Sequence, residues 1–405
     1  MVSLGTWKDY SVSLSLKLNC VTISLTKTGD VRVYSFDLYG RWWTGVINGI
    51  SYRRGLNGRV VAKWMPAIDQ HERRWLEQTE ASDLEEFIRK DFEAFSQDLA
   101  QGSLTLAPEI SPSDQLLLDK IARYSIADSA EDVALYHQIY KPVGILPPDQ
   151  YMALVLQASE GCSFNSCTFC NFYHDRPFRV KSLPEFEDHI IKIKDYLAEG
   201  LSLRRTIFLG DANALVIPTP RLITMLETVH RNFDVEQMGG IYAFLDGFSG
   251  ERKTRKEYEQ LASLGVKRIY IGMESGNPTL LNFMNKPGSP VDVLNAVKAM
   301  KSGGLSVGII ILLGAGGKQF SQDHVKDTIH LMNQMDLGMD DLIYFSELIE
   351  SEGMEYTQKA FEARLQPMTG GERLRQAEEI ESKLRFSIQK GTPHMSRYDI
   401  REFVY

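Results

Sequence analysis

Three of the four cysteines in this chain fall within nine residues: Cys162, Cys167 and Cys170, in the run Glu160-Gly-Cys-Ser-Phe-Asn-Ser-Cys-Thr-Phe-Cys-Asn-Phe-Tyr. Thiolates are ligands for soft metals and for iron–sulfur clusters. Two short spacings wrap the backbone around one small object, which core packing does not require. Three thiolates hold three irons of a four-iron cluster and leave the fourth iron open to a small molecule. The bland alternative is a tetrahedral zinc site completed by His174, four positions after Cys170. No fourth cysteine follows at ligand spacing. Cys20 lies far away in the chain and reads as a small apolar core residue.

The elements that must position this loop belong to an ordinary globular chain. It has 405 residues, 43% hydrophobic and 24% charged, which supplies ample material for a core. A formal net charge of −8 and a pI near 5.6 argue against a broad nucleic-acid-binding surface. No run of about 18 apolar residues suggests a membrane span. The N-terminus lacks a basic region followed by an apolar core, so no signal peptide is expected. A tight thiol cluster in so long a chain fits a metal site in the reducing cytoplasm better than a disulfide scaffold.

Residues 1–65 read as β structure, with alternation from Ser11 and a hairpin joining Val21–Thr26 to Val31–Phe36. A helix is predicted over 82–100, opened by a capping box at Ser82 and Glu85 and carrying Phe87, Phe92, Phe95 and Leu99 on its apolar face. More helix is expected over 110–140, then a Pro- and Gly-rich connector. From about residue 151, short apolar runs alternate with helices. Strands are predicted at 152–157, 205–210, 240–245, 267–273, 305–314 and 341–346, the last closing the series. Helices are predicted at Leu183–Leu197, Pro220–Phe233 and Arg252–Leu264, within 278–303, and at Gln322–Met335. Such alternation implies a parallel sheet, open or an incomplete barrel, with ligands at its C-terminal strand ends. A charged amphipathic helix follows at Glu372–Lys390, with Leu374, Ile380, Leu384 and Ile388 spaced along it. The expected division is 1–145, an N-terminal β-rich and helical extension; 146–350, the α/β core; and 351–405, a helical C-terminal segment.

These residues resemble the radical S-adenosylmethionine (radical SAM) superfamily over about 150–350. That family carries Cys-x3-Cys-x2-Cys after the first strand of a partial (β/α)6 barrel of the TIM type. Here the first gap is one residue longer. The resemblance implies a 4Fe–4S cluster on Cys162, Cys167 and Cys170, and Phe169 packed near the adenine of bound SAM. It gives Gly210 and Asp211 to the methionine ammonium, Glu274 and Ser275 to the ribose or methionine, and Lys286 to the carboxylate. The strand from Gly308 would lie beside the adenine. The implied activity is reductive cleavage of SAM to a 5′-deoxyadenosyl radical that takes hydrogen from a substrate.

The substrate is expected to be a small metabolite, with Tyr242, Asp246, Tyr344, Ser346 and Glu347 as candidate contacts from the third and sixth strand ends. Arg176 or Arg179 is a candidate for holding an anionic group. An electron donor such as flavodoxin or ferredoxin is the implied protein partner; nucleic acid and membrane are not expected. The shortage of further cysteines argues against an auxiliary cluster and against methyl transfer through a cysteine. A tetrapyrrole-modifying oxidase and a non-catalytic, zinc-stabilised α/β binding protein stand as alternatives.

Overall fold

The computed structural model of the chain describes every residue except 68–69, 248–252 and 352. The chain divides into two compact units. The first takes Met1–Val143, Ile191–Arg205 and Arg401–Tyr405; the second takes Gly144–Ile190 and Thr206–Ile400. Residues 351–400 are thus part of the second unit, and the first includes segments returning from later in the sequence.

The first unit is built on strands β1 (Val2–Trp7), β2 (Tyr10–Leu16), β3 (Cys20–Lys27), β4 (Asp30–Asp37), β5 (Trp42–Ile47), β6 (Ile50–Arg54), β7 (Val60–Ala67) and β8 (Gln70–Trp75). Helix α1 (Gln78–Ala100), the short strand β9 (Leu106–Ala107), α2 (Pro112–Arg123) and α3 (Ile126–Ile139) follow. The nine strands pair in the order β8-β7-β6-β5-β4-β3-β2-β1-β9, antiparallel throughout. Alternation along each strand sends one set of side chains inward. Val12, Leu14, Val21, Ile23, Tyr34 and Phe36 meet Ile88, Phe92 and Phe95 of α1 and Leu118 and Ile121 of α2 in one core.

The hairpin expected over 21–36 is β3–β4. Helix α1 begins earlier than the predicted Ser82, because the cap is Glu77, whose N–H donates to Glu80 Oε2 at 2.9 Å. Phe87, expected on the apolar face, is 41% exposed. Cys20 is buried, as a core residue should be.

The second unit contains β10 (Ala153–Gln157), the two-residue strands β11 (Ser159–Glu160) and β12 (Arg179–Val180), α4 (Leu183–Leu197, which continues into the first unit), β13 (Thr206–Gly210), α5 (Thr219–Asn232), β14 (Ile241–Phe244), α6 (Arg255–Ser263) and β15 (Val266–Glu274). Then come α7 (Pro278–Phe283), α8 (Pro290–Ser302), β16 (Ser306–Leu313), α9 (Gly317–Met332), β17 (Leu342–Glu347), α10 (Glu355–Glu362), α11 (Gly370–Lys383) and β18 (His394–Tyr398). A parallel sheet runs β10-β13-β14-β15-β16-β17-β18. Strands such as β10 and β16 are buried on both faces, which is why they read as continuous apolar runs. It is an open α/β sheet, with β10 and β18 at its two edges.

Several predicted boundaries move. The strand at 341–346 is not the last: β18 pairs in parallel with β17, from Leu342↔His394 to Ser346↔Tyr398. The helix within 278–303 is two helices, each with its own cap, Asn277 and Ser289. Helix α6 starts after Thr254, whose hydroxyl caps it; Arg252, the predicted start, lies outside the described residues. Helix α9 begins at Gly317, five residues before the predicted Gln322. Helix α11 ends at Lys383, leaving Leu384 and Ile388 beyond it. Among the described residues, no helix is long and apolar enough to cross a membrane.

The first unit also buries a charged network. Arg41 is 2% exposed and donates from Nε and Nη2 to the two carboxylate oxygens of Asp132, each at 2.7 Å, while Asp37 lies at 3.5 Å. The guanidinium also reaches the carbonyls of Tyr196 and Leu197. Removing the cation strands two buried carboxylates, and breaking such a pair costs about 3–5 kcal/mol. Arg41→Ala is therefore expected to destabilise the protein by about that much in chemical denaturation, whereas Lys90→Ala, at an exposed ion pair, should stay within about 0.5 kcal/mol of wild type.

Candidate functional site

The cysteines lie on the segment between β11 and β12, whose antiparallel pairing closes its base. Four ties fix its path. Gly161 N–H donates to Asp211 Oδ2 at 3.0 Å. Asn165 Nδ2 donates to the carbonyl of Tyr173 at 2.9 Å. Thr168, between two cysteines and 3% exposed, gives both its N–H and its hydroxyl to the Met284 carbonyl, each at 3.0 Å. The Thr168 carbonyl in turn accepts from Tyr356 N–H at 2.9 Å, so the loop is held between the C-terminal end of α7 and the start of α10. Because β10, β13 and β15 end beside it, the loop sits at the C-terminal edge of the parallel sheet.

All three thiols are half-buried. Burial pushes Cys167 up to about 12, against the nearby Lys286, and Cys170 up to about 11, and it raises Cys162 as well. Backbone N–H groups of Phe164 and Asn165 point at the Cys162 sulfur, and that of Phe172 at Cys170, favouring the thiolate. Free of metal, these groups hold their protons at neutral pH; a bound cation must displace them. Among the described residues, no three His, Cys, Asp or Glu side chains form a group that could hold a metal ion as they stand. The donor set itself, three thiols in one half-buried loop, fits an iron–sulfur cluster. His174, the zinc alternative's fourth ligand, is exposed.

Beside the thiols stands an ion pair. Lys286 Nζ donates to Glu274 Oε1 at 3.2 Å and lies 6.0 Å from the centre of the Phe169 ring. Burial works against the Lys286 charge, but the carboxylates of Glu274 and Asp246 help to outweigh it and hold the ammonium above its usual range. A Cβ on Gly272 would come within 2.5 Å of Glu274 Oε1, so glycine there makes room for the pair. Phe169 packs against the apolar group of Leu280, Leu281, Met284 and Tyr356.

Asp246 follows β14 on the same edge. Its carboxylate accepts from Ser163, next to Cys162, at 3.2 Å and from Asn213 Nδ2; its N–H donates to Asn213 Oδ1 at 3.1 Å. Burial pushes its carboxyl up despite Lys286. Ser346 and Glu347 end β17, where Glu347 Oε2 accepts from Arg373 of α11 at 2.9 Å. The structure therefore brings together the cysteines, Phe169, Glu274, Lys286 and Asp246.

Other expected site residues are placed differently. Asp211, expected to meet an ammonium group, has both oxygens engaged: Oδ1 by Gln157 at 2.7 Å, Oδ2 by Gly161 and, at 3.1 Å, by Arg176. It anchors the loop, and Gly210 ends β13 immediately before it. Arg176 is thereby occupied, as is Arg179 on Glu160 and Glu185, so neither stands ready for an anion. Ser275 is fully buried, its Oγ on His324 Nδ1 at 2.7 Å rather than toward a ribose. Gly308, Tyr242 and Tyr344 lie near the N-terminal ends of their strands, not at the ligand edge. There Tyr344 donates to Asp149 Oδ1 at 2.8 Å, Tyr270 donates to Asp149 Oδ2, and Gly308 leaves space for the Tyr270 ring.

Sequence reasoning missed Asn213, Thr168, Tyr398 and His324. Tyr398 ends β18 opposite Ser346, with its ring 5.6 Å from that of Tyr344. Asn213 stands two residues after Asp211 in Gly210-Asp-Ala-Asn, where an amide close to an acid was the available signal.

Comparison with known proteins finds a family match over part of the chain. The model described as the radical SAM superfamily matches residues 156–332. A Pyrococcus horikoshii protein, described as an uncharacterized methyltransferase, is 24% identical over 201 residues, 48% of this chain and 40% of that protein. Coproporphyrinogen III oxidase from Escherichia coli, described as a radical SAM enzyme, superposes with a TM-score of 0.43 at 12% identity, covering 57% of this chain and 51% of that one. The FeFe-hydrogenase maturase from Carboxydothermus hydrogenoformans gives 0.40 at 15% identity, covering 79% and 74%. The chain spans less than half the length of the curated relative it matches and about half of the oxidase.

His324 gives this site a measurable pH signature. Burial pushes it down to about 4, with Asp327 opposing only in part. Its folded pKa lies below the unfolded value of about 6.5, so between these values the unfolded state binds the extra proton. Stability is full above about pH 6.5 and should decline as pH falls toward 4. In urea titrations across pH 4–7, His324→Asn is expected to flatten that part of the profile.

Proposed function

We propose that this is a single-cluster radical SAM enzyme that takes hydrogen from a small-molecule substrate, its residues 156–332 matching the superfamily whose cofactors are a 4Fe–4S cluster and S-adenosylmethionine. The observation that carries this reading is the Glu274–Lys286 ion pair standing beside three thiols on one loop at the C-terminal sheet edge. Bound together, the two cofactors supply one-electron cleavage of the sulfonium carbon–sulfur bond and hydrogen abstraction from substrate.

Cys162, Cys167 and Cys170 hold the cluster, and N–H groups of Phe164, Asn165 and Phe172 temper the charge on two of the sulfurs. Lys286 presents a positive charge to the methionine carboxylate and Glu274 takes hydrogen bonds from the same ligand. Phe169 flanks it as an apolar surface, covered from water by the residues of α7 and α10. Asp246, on the far side of Ser163, faces the substrate with Asn213 fixing its orientation. With Asp211 engaged in holding the loop, Asp246 is the acidic group placed to accept a donor from either guest. A reduced flavodoxin or ferredoxin is the proposed electron source, and Ser346 and Glu347 remain proposed substrate contacts.

Anaerobic reconstitution is expected to give about four irons per chain, and SAM with dithionite should then yield 5′-deoxyadenosine. Cys167→Ala should abolish that product while leaving the far-UV circular dichroism intact. Lys286→Met is expected to keep its iron and weaken SAM binding by at least about tenfold, some 1.4 kcal/mol. One zinc per chain, with no SAM cleavage, would overturn the reading.

A further inference from the structure

Glu274 occupies a backbone conformation that its residue type disfavours. Its φ is +62°, in the left-handed region that side chains beyond glycine rarely adopt. Ser275 N–H donates to the Met273 carbonyl at 2.7 Å, closing a three-residue turn with Glu274 at its centre. A γ-turn with positive φ is the rare and strained variety. The register with β16 also slips between Gly272 and Glu274. Such a conformation persists only where the surroundings over-determine it.

The surroundings are one face of α9. His324, Asp327 and Thr328 stand at helix positions i, i+3 and i+4, which share a face. Each takes one residue of 275–277, the turn's last residue and the two that follow it. Ser275 Oγ accepts Asn277 N–H at 2.9 Å and shares a second hydrogen bond with His324 Nδ1, 2.7 Å away, whose direction follows the histidine tautomer. Thr328 Oγ1 accepts Gly276 N–H at 2.9 Å, and Asp327 Oδ2 accepts from Asn277 Nδ2 at 2.7 Å. Gly276 lets the helix come this close: a Cβ there would lie 2.4 Å from the Asp327 carbonyl oxygen. Both His324 and Ser275 are fully buried, and His324 Nε2 has no hydrogen-bond partner. A buried ring with one unsatisfied nitrogen is costly, and an apolar side chain would pack there without that cost. The hydrogen bond at Nδ1 offsets that cost.

We propose that His324 is a positioning residue: through Ser275 it locks the strained turn that aims the Glu274 carboxylate at Lys286 beside the cysteine loop. The part that concerns SAM rests on the reading of Glu274 as a residue that holds it. His324 touches no reacting atom; it fixes the direction of a group 50 residues earlier that does meet the ligand.

The test uses reconstituted full-length protein, with S-adenosylmethionine affinity measured by equilibrium dialysis. His324→Phe keeps the bulk and removes Nδ1; His324→Asn restores a hydrogen-bonding group at nearly the same place. His324→Phe is expected to weaken SAM binding about tenfold with the rate of SAM cleavage at saturation little changed, and His324→Asn to recover most of the affinity. Its effect should be non-additive with Glu274→Gln, because both act on one carboxylate. Amide exchange at Ser275 should speed up in His324→Phe and not in His324→Asn. Unchanged affinity in His324→Phe, while Glu274→Gln loses it, overturns the proposal, as does full additivity. If Glu274→Gln binds SAM like wild type, the reading of Glu274 fails instead. Exchange at Ser275 then decides the proposal alone: faster exchange in His324→Phe upholds the clamp, and unchanged exchange overturns it.

Discussion

Three thiols drawn half out of water set the terms for the rest of the second unit. Burial raises all three, and the nearby carboxylates of Glu274 and Asp246 add negative charge, with Lys286 the cation acting on every one of the thiols. Such a loop does not hold itself in place, because thiols make weak hydrogen bonds and the run from 161 to 178 has little regular structure of its own. Its shape is imposed from outside, by Thr168 wedged between α7 and α10 and by Asp211 gripping Gly161 and Arg176. These ties use backbone groups of the loop and the side chains of Thr168 and Arg176, and leave the sulfurs for a metal.

The parallel sheet divides its two ends between different tasks. At the N-terminal end, Tyr270 and Tyr344 converge on Asp149, with Arg268 alongside at 3.3 Å, and Phe208 and Phe244 pack on the Tyr270 ring. That end is filled with hydroxyls that are satisfied internally. At the C-terminal end, charged groups are paired but accessible to one another across strands: Glu274 with Lys286, Asp246 with Asn213, Glu347 with Arg373. Strand order explains why these residues, spread over more than a hundred positions, share one edge.

The cysteine loop, the α/β class and most strands were legible because their signals are local: thiol spacing, apolar runs, caps. The strand β18 was not, since His394–Tyr398 is a mixed polar run on an edge that pairs only along β17. Tyr242 and Tyr344 were assigned to the ligand edge because a strand pattern gives the face of a residue and not its height. Tyr344 is the third residue of β17, and only the last ones reach the edge. The roles of Asp211 and Ser275 were hidden for another reason. Their partners, Arg176 and His324, stand 35 and 49 positions away, and no periodicity reports such a pairing.

The central claim is that three cysteines hold a four-iron cluster whose remaining iron takes SAM. Mössbauer spectroscopy of protein reconstituted with iron-57 tests it directly, before and after SAM is added. The account predicts one iron distinct from three others, with its parameters shifting when SAM binds while the three stay nearly fixed. Four equivalent irons that ignore SAM, or no cluster spectrum at all, would contradict it.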